Sequence, residues 1–108
     1  MTTVFQNRNQ GFEAQFAFDE ELKFKAMAKR NRLLGQWAAQ KLGLTPADAE
    51  TYAKEVVAID LEKPGSDAVF TKVRADFDAK RIAQSDHQIR RTMDEFMAQA
   101  VAEIRAKK

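Results

Sequence analysis

The sequence predicts an all-α protein, a small four-helix bundle with a mobile N-terminal segment. Three observations carry that reading. Apolar residues recur every three or four positions along most of the chain, and no strand-like alternation is present. Turn and cap signals at Gly43 to Pro46, Pro64-Gly65 and Ser85 cut the periodic part into four lengths, each suited to one helix. The opening MTTVFQNRNQ is polar and amide-rich and breaks the pattern. The expected division is therefore 1–18 as a mobile segment and 19–108 as the bundle.

The first helix is expected from about Asp19 to Gly43. Asp19 and Glu20 place acid in its first turn, where the helix dipole favours it. Asp19 with Lys23 and Glu21 with Lys25 are acid-before-base pairs at four-residue spacing. The expected seam is Phe24, Met27, Leu34, Trp37, Ala38 and Leu42, with Leu33 at its edge. Gly35 lies inside this helix, and a glycine that tolerates the propensity penalty marks a close helix–helix approach. Gly43 supplies the left-handed end. Lys29-Arg30-Asn31-Arg32 reads as a solvated helix face.

Thr45-Pro46-Ala47-Asp48 starts the second helix, with Thr45 as N-cap and Pro46 at the first helical position. It runs to about Leu61. Tyr52, Ala53, Val56, Val57, Ile59 and Leu61 fill more than one stripe, so a well-buried helix is expected. Pro64-Gly65 ends it, and Ser66 or Asp67 is expected to cap the third helix, whose stripe is Val69, Phe70, Val73 and Phe77. Arg81 to Gln84 reads equally as helix end or loop. Ser85 and Gln88 stand at capping-box spacing. The fourth helix carries Ile89, Met93, Phe96, Met97, Ala100, Val101 and Ile104. Leu34, Trp37, Val56, Phe70, Phe77, Met93 and Phe96, with Val101, are the expected core.

Composition narrows the function. A chain of 108 residues forms one domain with a real core. Eighteen basic residues face sixteen acidic ones, interleaved, so there is no nucleic-acid stripe. The absence of cysteine removes disulfides, thiolate metal sites and cysteine nucleophiles. No apolar run approaches a bilayer span, and the N-terminus lacks the form of a secretory signal, so a cytoplasmic protein without membrane insertion is expected. Catalysis is not expected either. His87 is the sole histidine and sits at a helix start, no Glu-x-x-His pair suggests a metal bundle, and Gly11, Gly35, Gly43 and Gly65 are too scattered for a phosphate loop. No catalytic residue, metal or cofactor is assigned, and the basic residues leave room only for weak nucleotide binding.

The N-terminal segment carries the functional signal. Phe5, Phe12, Phe16 and Phe18 fall within the first eighteen residues, more than a purely solvated tail requires. Phe5, Phe12 and Phe16 are spaced by seven and four, so they share one face if the segment becomes helical. A segment that folds on a partner accounts for both the polarity and the phenylalanines.

The strings FEAQFA, DEELKFK, RNRLLGQWAA and LGL, from Phe12 to Leu44, and YAKEVV, from Tyr52 to Val57, together resemble the zeta subunit of alphaproteobacterial F-type ATP synthases. The resemblance covers nearly the whole chain and is looser after Gly65. It implies an inhibitor of ATP hydrolysis in the bacterial cytoplasm, a monomer when free. Its partner would be the catalytic head, with the N-terminal segment wedged at an alpha/beta interface against gamma. Phe5, Arg8, Phe12, Glu13 and Phe16 match the family's aromatic and charged positions and would bind that partner. Two other readings remain open from the residues alone: a helical adaptor, and a nucleotide-sensing regulator acting through the bundle surface.

Overall fold

The computed structural model describes residues 20–106, which form four helices. They are α1 (Glu20–Leu42), α2 (Pro46–Glu62), α3 (Ser66–Ala79) and α4 (Asp86–Ala106). No strand occurs among the described residues.

The helix ends follow from local chemistry. At the end of α1, Gly43 adopts φ 75°. Its N–H donates to Gln40 O at 3.1 Å, and Leu44 N–H donates to Ala39 O at 3.0 Å. This crossed pair is a Schellman motif, which glycine permits without steric penalty. Thr45 then caps α2, its Oγ1 accepting from Asp48 N–H at 3.2 Å, with Pro46 following. At α4 the capping box is complete. Gln88 N–H donates to Ser85 Oγ at 3.1 Å, and Ser85 N–H donates to Gln88 Oε1 at 2.9 Å.

The start of α3 differs from expectation. Ser66 is its first helical residue, Gly65 stands at the cap position with φ 122°, and no side chain caps the helix. Neither Ser66 nor Asp67 does that work. Gly65 N–H donates back to Asp60 Oδ1 at 3.2 Å instead, which fastens the turn to α2. Asp67 reaches across to Arg90 at 3.0 Å and ties α3 to α4. Arg81 to Gln84 is loop. The turn is made by Arg81 itself, at φ 58°. Arg81 N–H donates to Asp78 O at 3.1 Å and Ile82 N–H to Phe77 O at 2.8 Å, a second Schellman motif with arginine where glycine is usual.

Consecutive helices are antiparallel, as short connections require. Going up α1 from Phe24 through Ala28 to Gly35, the neighbours on α2 run back from Leu61 through Val57 to Ala53. Between α2 and α3, Tyr52 meets Asp76 and Glu55 meets Lys72. Between α3 and α4, Asp67 meets Arg90 and Arg74 meets Asp86. The most extensive packing is of α1 against α2, then of α1 against α4.

The core is built from Leu34, Ala38, Ala39, Tyr52, Val56, Val69, Val73, Phe77, Ile89 and Met93. Trp37, Phe70 and Phe96 pack against it and stay partly exposed. Trp37 meets Phe77 edge to face, the ring centroids 5.6 Å apart. The expected seam of α1 holds in its C-terminal half and fails in the other. The buried row runs Leu22, Ala26, Arg30, Leu34, Ala38, and Phe24 is 59% exposed. Two residues along a helix are about 200° apart around its axis, so Phe24 cannot share a face with Leu22 and Ala26. α2 is also less buried than expected. Only Tyr52, Ala53 and Val56 are enclosed, and Leu61 is 59% exposed.

Gly35 is where α1 and α2 come closest. A Cβ built there would stand 2.6 Å from Ala53 Cα and 3.2 Å from its Cβ. The obstacle is backbone, so it cannot swing aside. Gly35→Ala gains about 1 kcal/mol of helix propensity and loses about 1–3 kcal/mol to overpacking. We expect net destabilisation, seen as a lower urea midpoint, whereas a Gly→Ala change at an unobstructed helix site stabilises. Arg81→Gly should do the reverse. It relieves about 1–2 kcal/mol of left-handed strain against about 0.5–1 kcal/mol of extra unfolded-state freedom. Thermal melts should show a Tm raised by a few degrees.

Candidate functional site

Phe5, Arg8, Phe12, Glu13 and Phe16, the residues expected to meet a partner, lie outside the described residues. The described part supplies the scaffold and its surfaces. It offers no catalytic geometry. His87 is exposed in the first turn of α4, and no cluster of three metal-ligating side chains occurs among the described residues. None of the described helices is long and apolar enough to cross a membrane.

The basic stretch on α1 is not a solvated face. Lys29 and Arg32 look outward, but Arg30 is 5% exposed and Asn31 is fully buried. Arg30 falls in the row 22, 26, 30, 34, 38 and is drawn inward by its apolar neighbours above and below. That spacing is visible in the sequence, but charge at position 30 hides it. Arg30 Nε donates to Asn31 Oδ1 at 2.6 Å. Burial pushes the Arg30 guanidinium below its usual pKa, and Asp60 and Asp94 oppose that shift. Arginine nonetheless remains charged at any working pH. Arg30 therefore cannot serve as a free surface contact. Lys72 is no free contact either, because it pairs with Glu55 at 3.3 Å and Asp76 at 3.2 Å and lies over the Tyr52 ring.

Asn31 is the unusual residue. Its Oδ1 is used by Arg30, and its Nδ2 is buried with no hydrogen-bond partner. Leaving a buried donor unmade costs about 1–3 kcal/mol. Asn31 helps to line a cavity of about 240 Å³ between α1 and α2, walled by Phe24, Met27, Val57, Leu61 and Pro64, with Asp60 among them. Beside it a shallower groove of about 410 Å³ is formed by Ala28, Lys29, Arg32, Lys54 and Val57. Lys29 pairs with Glu103 at 2.9 Å and Arg32 with Glu50 at 3.0 Å. Both pairs are one-third to one-half exposed, and such pairs contribute about 0–1 kcal/mol.

The model of the family "ATPase inhibitor subunit zeta" matches residues 1–103. The chain belongs to the ATPase inhibitor zeta subunits. It is thus an inhibitor subunit and not an enzyme. A protein with a solution NMR structure has the same fold, with a TM-score of 0.69 and 37% identity over 81% of this chain and 99% of that one. No curated protein matches the chain. Membership implies association with an ATP synthase, and the match spans the N-terminal segment as well as the bundle.

In this zeta subunit Tyr52 is a structural anchor between α2 and α3. Its hydroxyl donates to Asp76 at 2.7 Å. Burial, then that hydrogen bond, raise its pKa well above the ordinary value of 10.0. The folded state thus keeps the proton at a pH where the unfolded chain loses it. The contribution is fully present below pH 10 and is lost as pH rises beyond it. We expect the stability of the wild type to fall above pH 10. Tyr52→Phe should be about 1 kcal/mol less stable at pH 7 and show a flatter alkaline limb in urea titrations at pH 7 to 11.

Proposed function

We propose that the chain inhibits ATP hydrolysis by a bacterial F-type ATP synthase through its N-terminal segment, Met1 to Phe18. In this reading the segment becomes helical at the catalytic interface of alpha, beta and gamma and blocks rotation in the hydrolytic direction. Phe5, Phe12 and Phe16 form the apolar face of that helix, and Arg8 and Glu13 give it polar contacts. The bundle stays outside as the handle. The protein acts in the cytoplasm, as a monomer when free.

The observation that carries the reading is that the family match begins at residue 1 and takes in all five of those positions. Two others support it. Every described core residue is supplied by α1 to α4, between Leu22 and Val101. The four phenylalanines before Asp19 fit a segment whose apolar face serves another protein.

Deleting Met1 to Phe18 should abolish inhibition of hydrolysis by the cognate catalytic head and leave the melting temperature of the bundle nearly unchanged. Full inhibition by the truncated chain would sink the proposal. Gly11 offers a sharper probe, because glycine costs a helix interior about 1 kcal/mol. Gly11→Ala should tighten inhibition by about fivefold. An unchanged inhibition constant would mean that no helix passes through position 11 in the complex.

A further inference from the structure

We propose that the outer face of α1 and α2, from Phe24 to Arg32, is a second docking surface that takes a short, acidic, amphipathic helix of the partner. The proposal deepens the inhibitory reading and rests on it for the partner's identity. It concerns contacts made by the bundle, not by residues 1–18.

Four observations converge on this face. Phe24 and Leu61 are each 59% exposed and flank the same cavity. The cavity and the neighbouring basic groove share Ala28 and Val57, so they form one strip. The strip is mostly apolar at the Phe24 end, where the one carboxylate, Asp60, already accepts from Gly65 N–H, and basic at the Lys29, Arg32 and Lys54 end. Lys54 makes no ion pair among the described residues, and the partners of Lys29 and Arg32 are exposed carboxylates that another carboxylate can replace. Finally, Asn31 lines the cavity and holds a hydrogen-bond donor with no acceptor.

Size and charge then select the occupant. Phe24 and Arg32 are eight residues apart on α1, about 12 Å along the helix. Two to three turns of a helix laid alongside would cover that length, apolar residues towards Phe24 and Leu61, acids towards Lys54. This is recognition of a helix in a groove, with a charged end that fixes direction. The chain's own first eighteen residues fit poorly, since Arg8 and Glu13 are their only charged side chains and cancel. A second copy packed about a two-fold axis along the strip would set the basic end against itself, and one packed antiparallel would set each basic end against the other's apolar end.

The test uses the full chain and the isolated catalytic head of the ATP synthase, with binding followed by biolayer interferometry at low and high salt. Lys54→Glu and Leu61→Ser alter exposed or flanking side chains and should leave the melting curve in place. Each is expected to weaken binding by about five- to twentyfold, mainly through faster dissociation. Lys54→Glu should also flatten the salt dependence. If the wild type binds and both variants bind equally well, the docking surface is refuted and the N-terminal mechanism stands. If the wild type does not bind the head, the inhibitory reading fails and this inference fails with it. Sedimentation of the free wild type as a dimer that Lys54→Glu abolishes would assign the face to a second copy and overturn the proposal. Amide shifts of Phe24 and Leu61 that move in the free chain on Phe16→Ala would assign it to the chain's own N-terminus, with the same result.

Discussion

The contact between Gly35 and Ala53 sets the spacing of the bundle. With 2.6 Å from a would-be Cβ to the facing Cα, α1 and α2 lie as near as backbones allow. Small residues are frequent along α1, where Ala26, Ala38 and Ala39 are all fully buried. Close helices leave little volume between them, so large side chains are needed only where α3 arrives. Phe77 and Leu34 fill that space, and Trp37 closes it from the side. α1 touches each of the other three helices, so a displacement there would propagate through the whole core.

The charged residues divide by geometry. Arg74 is held at the α3–α4 connection, donating to Gln84 O at 2.6 Å and pairing with Asp78 and Asp86. Arg90 pairs with Asp67 and stacks on the Phe70 ring at 4.0 Å. These contacts fix where α4 begins relative to α3, although exposed pairs of this kind add little free energy. They also explain the partial exposure of Phe70, whose ring is covered by a guanidinium rather than by core. Interleaved charge in the sequence therefore encodes register at helix ends more than solvation.

Much of the fold was legible because caps are local. Gly43, Thr45-Pro46 and the Ser85–Gln88 pair specify their turns with side chains within a few residues, and the structure places them as read. What could not be read depends on tertiary context. Arg81 takes a glycine's conformation because Ile82 and Phe77 join to close α3, which no propensity signals. Phe24 looked like core because it is large, and Arg30 like surface because it is charged. Their positions on α1 decide otherwise, and residue type misleads when a row of small residues makes the seam. The strip on α1 and α2 is not legible in the sequence for the same reason. It combines Phe24 and Leu61, which look buried in sequence, with Lys29, Arg32 and Lys54, which look solvated.

That approach links scaffold and function. Before the contact of Gly35 with Ala53, the buried row of α1 runs through Leu22, Ala26 and Arg30, and Phe24 lies about 200° around the axis from Leu22 and from Ala26. Phe24 and Leu61 become exposed there while Asn31 remains buried with an unmet donor. A protein under selection for stability alone would replace Asn31 by an apolar residue and Phe24 by a charged one, since both changes remove a known cost. Their presence together on one face, in the N-terminal half of α1, supports the proposal that this face is retained for contact. In the proposed mechanism, a bundle surface and an N-terminal segment carried on one chain raise the effective concentration of each for the other. A short segment that must order itself on binding gains most from such a handle, because the entropy of ordering, roughly 1–2 kcal/mol for each residue, sets how tightly it can hold alone.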